Sequence, residues 1–119
     1  MRFVILYHRT PEGFPRPTHW DLMLEAEGVL KTWALREDPQ AHPRQVVQLL
    51  GDHRLDFLVY EGPLSGDRGS VCRWDQGTYQ PVQQTDDRWV VRLAGGKLQG
   101  QIELTRHPDR PDLYDYRFQ

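Results

Sequence analysis

The stretch His19–Leu35, HWDLMLEAEGVLKTWAL, decides how the rest of the chain is interpreted. With a period of two, its first half places an apolar set on one face, namely Trp20, Leu22, Leu24 and Ala26. The opposite face carries His19, Asp21, Met23 and Glu25. Glu27 and Gly28 then form a tight turn, after which the chain returns as a second strand. The stretch predicts a β-hairpin with one apolar face and one face whose polar groups could form a site.

His19 and Asp21 are the first pair of candidate metal ligands. Their side-chain bases are roughly 6.5 Å apart on a strand that rises about 3.3 Å per residue, so their tips can converge on one ion. His8, at the end of an earlier apolar run, and His53, after a Gly-Asp pair, can reach the same cleft. Two imidazoles and a carboxylate suit Mn, Fe or Zn. By itself this spacing is a weak signal, because it arises often by chance.

The composition predicts a single domain over residues 1–119. This length is enough for one hydrophobic core and too short for two. Nine Pro and ten Gly separate short apolar runs, which is typical of strands and turns rather than of long helices. We therefore expect an all-β fold, a small closed or partly open β-barrel of about eight short strands with minor helical turns, since closure removes sheet edges.

Further extended segments are expected where apolar alternation runs between turn residues. They are residues 3–8, 46–50, 55–60 and 113–118, and two hairpins over 71–82 and 88–105 with turns at 76–77 and 95–96. The four tryptophans are expected to build the core. His42 and His107 lie in polar loops that contain proline, and we expect both at the surface.

Cys72 is the single cysteine, which excludes an internal disulfide and fits a reducing cytosol. It lies in an apolar alternation, so we expect it to be buried. The N-terminal apolar run is too short for a signal peptide or a membrane span, and we expect a cytoplasmic protein. A net charge of −2 gives no global attraction to nucleic acid, so any such binding must come from a local patch.

Several blocks of the sequence resemble, in the same order, blocks of the 3'-phosphoesterase domain of bacterial DNA ligase D. In this chain they are HWDLMLE and GVLKTWA (19–25 and 28–34), DHRLDF (52–57), YEG (60–62), WDQGTY (74–79) and RLAGGKLQG (92–100). The family counterparts are HYDLRLELDGVLKSWAVP, DHPLDY, FEG, WDRGTW and RLHGERLKG. The resemblance spans nearly the whole chain.

The resemblance implies a compact β-barrel that removes 3'-phosphates and 3'-terminal ribonucleotides with Mn²⁺ or another divalent transition metal. Transferred residue by residue, it implies that His8, His19 and Asp21 hold the metal and that His53 contacts the scissile phosphate. Glu25 is expected to support a metal ligand or to pair with an arginine, rather than to bind the ion itself. The implied partners are the 3' ends of nucleic acid and, in trans, ligase or polymerase proteins.

Two substitutions set this chain apart from the family pattern. Met23 stands where the family has an arginine, so the bidentate clamp on a phosphate is missing from its expected place. Phe57 stands where the family has a tyrosine. Arg44 and Arg54 are the residues we expect to bind the substrate, and Arg9, Arg16 and Arg36 are further candidates to replace the lost cation.

Two rival functions remain open on the sequence. Met23 and Phe57 favour a catalytically impaired relative that serves as a nucleic-acid-end binding or interaction module. A small jelly-roll oxygenase would instead use His19, Asp21 and a distant imidazole such as His107 as an iron site. This last hypothesis requires His107 and makes His8 dispensable.

Overall fold

The computed structural model describes all of residues 1–119 and is almost entirely antiparallel β-structure. Its strands are β1 (Arg2–Arg9), β2 (His19–Ala26), β3 (Val29–Leu35), β4 (Arg44–Leu49), β5 (Gly62–Pro63), β6 (Ser70–Gln84), β7 (Arg88–Gly95), β8 (Gln99–Arg106) and β9 (Leu113–Phe118). The helical structure is a 3-10 helix, Leu55–Leu58. Nothing helical in this fold has the length and apolarity that crossing a membrane would require.

The strands form a closed barrel with one extra strand at its margin. Neighbouring strands follow the order β1-β2-β3-β4-β9-β8-β7-β6, and β6 pairs with β1 to close the sheet. The short β5 pairs with the beginning of β6. Closure satisfies the backbone groups that an open sheet would leave at its two edges. The predicted all-β class and barrel architecture are confirmed, and the barrel is the closed form.

Alternation along β1 and β2 divides the apolar residues between two layers. The barrel interior holds a large cluster that includes Phe3, Ile5, Leu22, Leu24, Trp33, Leu93, Ile102, Tyr114 and Tyr116. The outer face holds a smaller cluster of Val4, Leu6, Met23, Leu30, Leu58 and Val71. Trp33 is fully buried, and the other three tryptophans are partly buried against the interior cluster. Both faces of these two strands are therefore covered, the outer one by the 3-10 helix and the loops around it.

The first predicted hairpin is confirmed. The turn residues Glu27 and Gly28 both have positive φ angles, 53° and 81°. Two consecutive left-handed residues are what the tight hairpin turn with matching strand twist requires. The pairing then runs in register from Ala26 opposite Val29 to Trp20 opposite Leu35.

The hairpin predicted over residues 71–82 is wrong, because residues 70–84 form one long strand. Its first half pairs with β1 and its second half with β7, and register irregularities accompany both pairings. Gly77 allows β7 to approach closely rather than making a turn. A Cβ atom at this position would overlap the carbonyl oxygen of Ala94.

Two smaller predictions also fail. The segment 55–60 is not extended, since its apolar residues form the 3-10 helix that packs Leu58 onto the outer cluster. Cys72 is exposed rather than buried. It lies opposite Tyr7, near the end of β1, where the apolar alternation that suggested burial no longer faces a packed layer.

Candidate metal and substrate site

Antiparallel pairing of β1 and β2 brings three predicted ligands together on the outer face of the barrel. His8 lies directly opposite His19, and Asp21 follows two residues later on the same face of β2. One ligand atom from each residue lies within 4.8 Å of the others. The His19 Nε2 atom is 2.9 Å from Asp21 Oδ1, and His8 Nδ1 is 3.4 Å from Asp21 Oδ2. The register of β1 and β2 therefore places these three side chains next to one another.

Backbone carbonyls orient both imidazoles. The Nδ1–H group of His19 donates to the carbonyl oxygen of Pro17 at 2.8 Å. The Nε2–H group of His8 donates to the carbonyl oxygen of Arg68 at 2.7 Å. Each neutral ring then has its other nitrogen, with a free lone pair, directed at Asp21. Outer hydrogen bonds of this kind fix ring orientation and tautomer at protein metal sites.

The buried polar atoms of this cluster fit a cation. His19 and Asp21 are only 1% and 3% exposed. His19 Nε2 and Asp21 Oδ1 face each other at 2.9 Å, yet neither has a hydrogen-bond partner. Both atoms are acceptors once Nδ1 carries the ring proton, so their closeness is unfavourable until a positive charge lies between them. Two imidazoles and one carboxylate are also a donor set that first-row divalent metals accept.

The electrostatics of the cluster keep Asp21 ionised. Burial pushes the pKa of Asp21 up, but hydrogen bonds from the imidazoles in their protonated form, from His19 first and then from His8, outweigh burial, so this pKa lies below its ordinary value. The contact with Asp21 in turn raises the pKa of His8, against the effect of burial. A metal ion must therefore displace a proton that His8 binds more tightly than usual.

His53 lines a cleft of about 350 Å³ that also contains His8 and Asp21. Its backbone pairs with Leu30 of β3 through two hydrogen bonds of 2.8 and 2.9 Å. Its Nδ1–H group donates to the carbonyl oxygen of Gly51 at 2.8 Å, and its ring packs against Phe57 with centroids 5.6 Å apart. The Nε2 atom has no protein partner. The side chain is thus fixed in place with one ring nitrogen left for a ligand.

Met23 occupies the outer face of β2 two residues beyond Asp21. It is 1% exposed and packs within the outer apolar cluster. Phe57 packs against this cluster, and its ring contacts those of His53 and Tyr60. The position at which the family pattern has an arginine therefore holds an apolar side chain, which packs in the outer cluster and also lines the cleft of His53.

The two arginines predicted to bind substrate lie in different places. Arg54 lines the cleft that contains His53. Arg44 does not, because it begins β4, pairs with Arg117 of β9 and borders a separate surface depression. The structure therefore does not bring Arg44 together with the other predicted site residues.

Glu25 also lies away from the cluster. Both of its carboxylate oxygens contact Arg2, at 2.9 Å from the backbone nitrogen, 3.2 Å from Nε and 2.9 Å from Nη2. Its direction along β2 is right for the metal, but its distance is not, because it lies four residues beyond Asp21. Of the two roles predicted for Glu25, the structure shows the ion pair with an arginine, which links β1 to β2.

His107 also lies away from the candidate metal ligands. Its Nε2 atom contacts Asp115 of β9 at 2.7 Å, and it is not part of the cluster. His8, which the oxygenase hypothesis makes dispensable, is part of it. The geometry does not support the iron site that this hypothesis requires.

Arg16 and Arg36 line a second, larger cleft of about 560 Å³, which His19 also borders. Its walls combine apolar side chains, Phe14 and Val46 among them, with polar ones, and Arg16 donates to Gln48 at 3.1 Å. Arg9 stacks on Tyr7 at the end of β1. None of these three arginines lines the cleft of His53.

Sequence reasoning missed Arg68 and Asp75. Arg68 lines the His53 cleft from the loop before β6, where no periodic pattern predicts a side chain's direction. Asp75 is buried, and its carboxylate accepts hydrogen bonds from the backbone nitrogens of Gln76, Gly96, Lys97 and Leu98. One carboxylate thus joins the WDQGTY block to the RLAGGKLQG block. The presence of both blocks in the sequence was the signal from which a contact between them could have been predicted.

Comparison with known proteins agrees with this architecture. Residues 8–106 match the family described as DNA Ligase D 3'-phosphoesterase domain. The "Multifunctional non-homologous end joining DNA repair protein LigD" of Mycobacterium tuberculosis is 33% identical over 113 residues, covering 87% of this chain and 14% of that protein. The "Multifunctional non-homologous end joining protein LigD" of Pseudomonas aeruginosa is 31% identical over 98 residues, covering 74% and 12%.

This chain therefore spans only a small part of the length of these relatives. Within that part the family match includes His8, His19, Asp21 and His53, which all lie in residues 8–106. The chain belongs to the DNA ligase D 3'-phosphoesterase domain family.

Proposed function

We propose that this protein is a metal-dependent phosphoesterase that acts on 3'-phosphate or 3'-ribonucleotide ends of nucleic acid in DNA end repair. The observation that supports it most is the cluster of His8, His19 and Asp21 at the wall of a cleft that also contains His53. Family membership supports the same reaction class. We propose Mn²⁺, or a divalent transition metal of similar preference, as the ion that this cluster holds.

In this proposal His8, His19 and Asp21 bind the ion through Nδ1, Nε2 and the carboxylate. When bound, the ion supplies positive charge beside a phosphoryl oxygen and makes water more acidic. The carbonyls of Pro17 and Arg68 keep the lone pairs of both rings directed inward. The pKa of Asp21 lies below its ordinary value, so its carboxylate is available as the anionic ligand at neutral pH.

His53 acts on the substrate in this proposal. The hydrogen bond from Nδ1–H to Gly51 fixes its ring, and in the imidazolium form Nε2–H donates to a phosphate oxygen or delivers its proton to the leaving oxygen. The ring packs on Phe57 rather than on a polar group, so no protein acceptor competes for that proton.

The proposed partners are nucleic-acid 3' ends, with ligase or polymerase proteins acting in trans or in a longer chain. The names of the relatives refer to non-homologous end joining, and those relatives are several times longer than this domain. Trimming a 3' end leaves a hydroxyl group, which is the group that a ligase or a polymerase consumes. The domain would therefore act before the joining step.

The experiment is hydrolysis of a primer-template that carries a 3'-phosphate or a single 3'-ribonucleotide, with added Mn²⁺. Release of phosphate or nucleoside by the wild type, and its loss in His19→Ala, supports the proposal. An Asp109→Asn variant is the matched control, because Asp109 is exposed and makes no ion pair or hydrogen bond. Absence of turnover with either substrate while the protein binds Mn²⁺ contradicts it.

One observation favours a second candidate function, a nucleic-acid-end binding or interaction module. Met23 is buried among apolar side chains where the family carries a phosphate-binding arginine. A module of this kind binds Mn²⁺ and 3' ends without turnover, and gains activity on substitution Met23→Arg. Robust hydrolysis by the wild type excludes it.

A further inference from the structure

Resting on the proposed function, we propose that Arg68 supplies the guanidinium that binds the terminal phosphate, in place of the arginine that position 23 lacks. Arg54, which lines the same cleft, assists it. Both side chains share this cleft with His8, Asp21 and His53. The phosphate clamp has moved from a strand to the loop before β6.

The loop is built to hold one conformation. Gly66, Asp67 and Gly69 have positive φ angles of 71°, 52° and 87°. The backbone nitrogen of Leu64 donates to the carbonyl oxygen of Gly69 at 2.8 Å, which closes the loop on itself. A Cβ atom on Gly69 would overlap the carbonyl oxygen of Arg9. The loop is therefore pressed against the end of β1, beside His8.

Arg68 is tied to the metal cluster through its backbone. Its carbonyl oxygen accepts the Nε2–H group of His8 at 2.7 Å. The position of the Arg68 backbone and the orientation of one candidate ligand are thus fixed by the same hydrogen bond. Because this contact uses a backbone oxygen, it does not depend on which side chain residue 68 carries.

The guanidinium of Arg68 is held without being neutralised. Its Nε atom donates to the carbonyl oxygen of Ser65 at 2.7 Å, and Nη2 donates to Ser65 Oγ at 3.1 Å. Both acceptors are uncharged, and no carboxylate lies within ion-pair distance of Arg68. A pre-oriented, unpaired guanidinium is suited to bidentate contact with a phosphate.

The remaining charges of the cleft leave room for an anion. Arg54 has no ion-pair partner either. Asp52, the second carboxylate at the cleft wall, is paired with Lys31 at 3.2 Å. Asp21 is the one acidic group left, and it is the anionic ligand of the metal cluster. With a divalent ion bound, the cleft carries excess positive charge from the ion, Arg54 and Arg68.

The test measures binding rather than turnover, with Mn²⁺ present. Two fluorescent oligonucleotides of the same sequence are compared by anisotropy, one ending in a non-hydrolysable 3'-methylenephosphonate and the other in a 3'-hydroxyl. The wild type is expected to prefer the phosphonate. In Arg68→Gln this preference is expected to fall by roughly tenfold to a hundredfold, as for the loss of a charged, bidentate contact. Arg68→Lys is expected to keep part of the preference, because lysine keeps the positive charge but cannot make the two parallel N–H contacts of a guanidinium.

Arg92→Gln is the matched control, because Arg92 is exposed, makes no ion pair and lies on β7, away from the cleft. Mn²⁺ affinity, measured by calorimetry, is expected to be unchanged in Arg68→Gln. An undiminished phosphonate preference in Arg68→Gln overturns the role of Arg68 and leaves the proposed function standing. Loss of Mn²⁺ affinity in that variant overturns it as well, since the side chain would then act through the loop. No phosphonate preference in the wild type overturns the proposed function itself.

Discussion

Replacing Asp21 by asparagine separates metal binding from folding. In the metal-free protein Asp21 Oδ1 faces His19 Nε2 at 2.9 Å, and both are buried acceptors without a donor. An unsatisfied buried group of this kind costs about 1–3 kcal/mol. The side-chain amide that the substitution introduces offers an N–H group at the same place, so Asp21→Asn is expected to raise the free energy of unfolding by about 1–2 kcal/mol. For a chain of 119 residues that corresponds to about 4 °C in Tm per kcal/mol.

Added metal should make the wild type more stable than Asp21→Asn, the reverse of their order without metal. A wild type that binds Mn²⁺ gains about 2.7 kcal/mol at a free concentration about 100 times its Kd. Asp21→Asn lacks the anionic ligand and should gain little. The assay is thermal unfolding by circular dichroism at about pH 8, first with EDTA and then with Mn²⁺, and Asp109→Asn serves as control. A variant less stable than the wild type in EDTA, or equally stabilised by Mn²⁺, would refute the reasoning.

Three further outcomes are expected. His53→Ala should lower turnover roughly 10²–10⁴-fold while Mn²⁺ affinity, measured by calorimetry, stays unchanged, because His53 is outside the ligand cluster. Asp75→Asn should lower the free energy of unfolding in urea by about 2 kcal/mol, since its amide would turn a donor toward the buried nitrogen of Leu98. The Arg2 contact lowers the pKa of Glu25 from 4.5 to about 2, so the stability it gives is present above pH 4.5 and is lost as the pH falls toward 2. In Glu25→Gln that part of the acid dependence of urea unfolding should vanish.

The barrel could be predicted because its strands carry their own local signals. The period-two pattern of residues 19–35 and the two left-handed turn residues are local, and the hairpin they specify forms as expected. The segment 55–60 has the same apolar content but becomes a 3-10 helix, because its partner is the outer face of the barrel rather than a neighbouring strand. Gly77 looked like a turn residue, whereas its lack of a side chain serves the approach of β7. Both errors concern tertiary contacts that a local pattern does not contain.

The candidate ligands were predictable for the same reason. His19 and Asp21 share a face by strand geometry, and His8 joins them once β1 and β2 pair antiparallel in the observed register. Arg44 was misplaced because its strand begins two strands away from β2, at a level that the sequence does not specify. Arg68 was missed because its direction depends on three left-handed backbone angles in a loop. Their roles in binding stay predictions that the experiments above address.

The metal ligands and the phosphate-binding side chains therefore differ in how strongly the fold constrains their positions. A metal ligand must present a particular atom at a particular place, and the register of β1 and β2 fixes three such atoms at once. A phosphate needs positive charge and donors near one point, which a side chain as long as arginine can supply from several backbone positions. Once a loop arginine reaches the cleft, position 23 is free to become apolar and to join the cluster of Leu6 and Leu58. On this reasoning Met23→Arg would add a buried charge to a packed layer and gain little binding while Arg68 is present, and would gain most in the Arg68→Gln background.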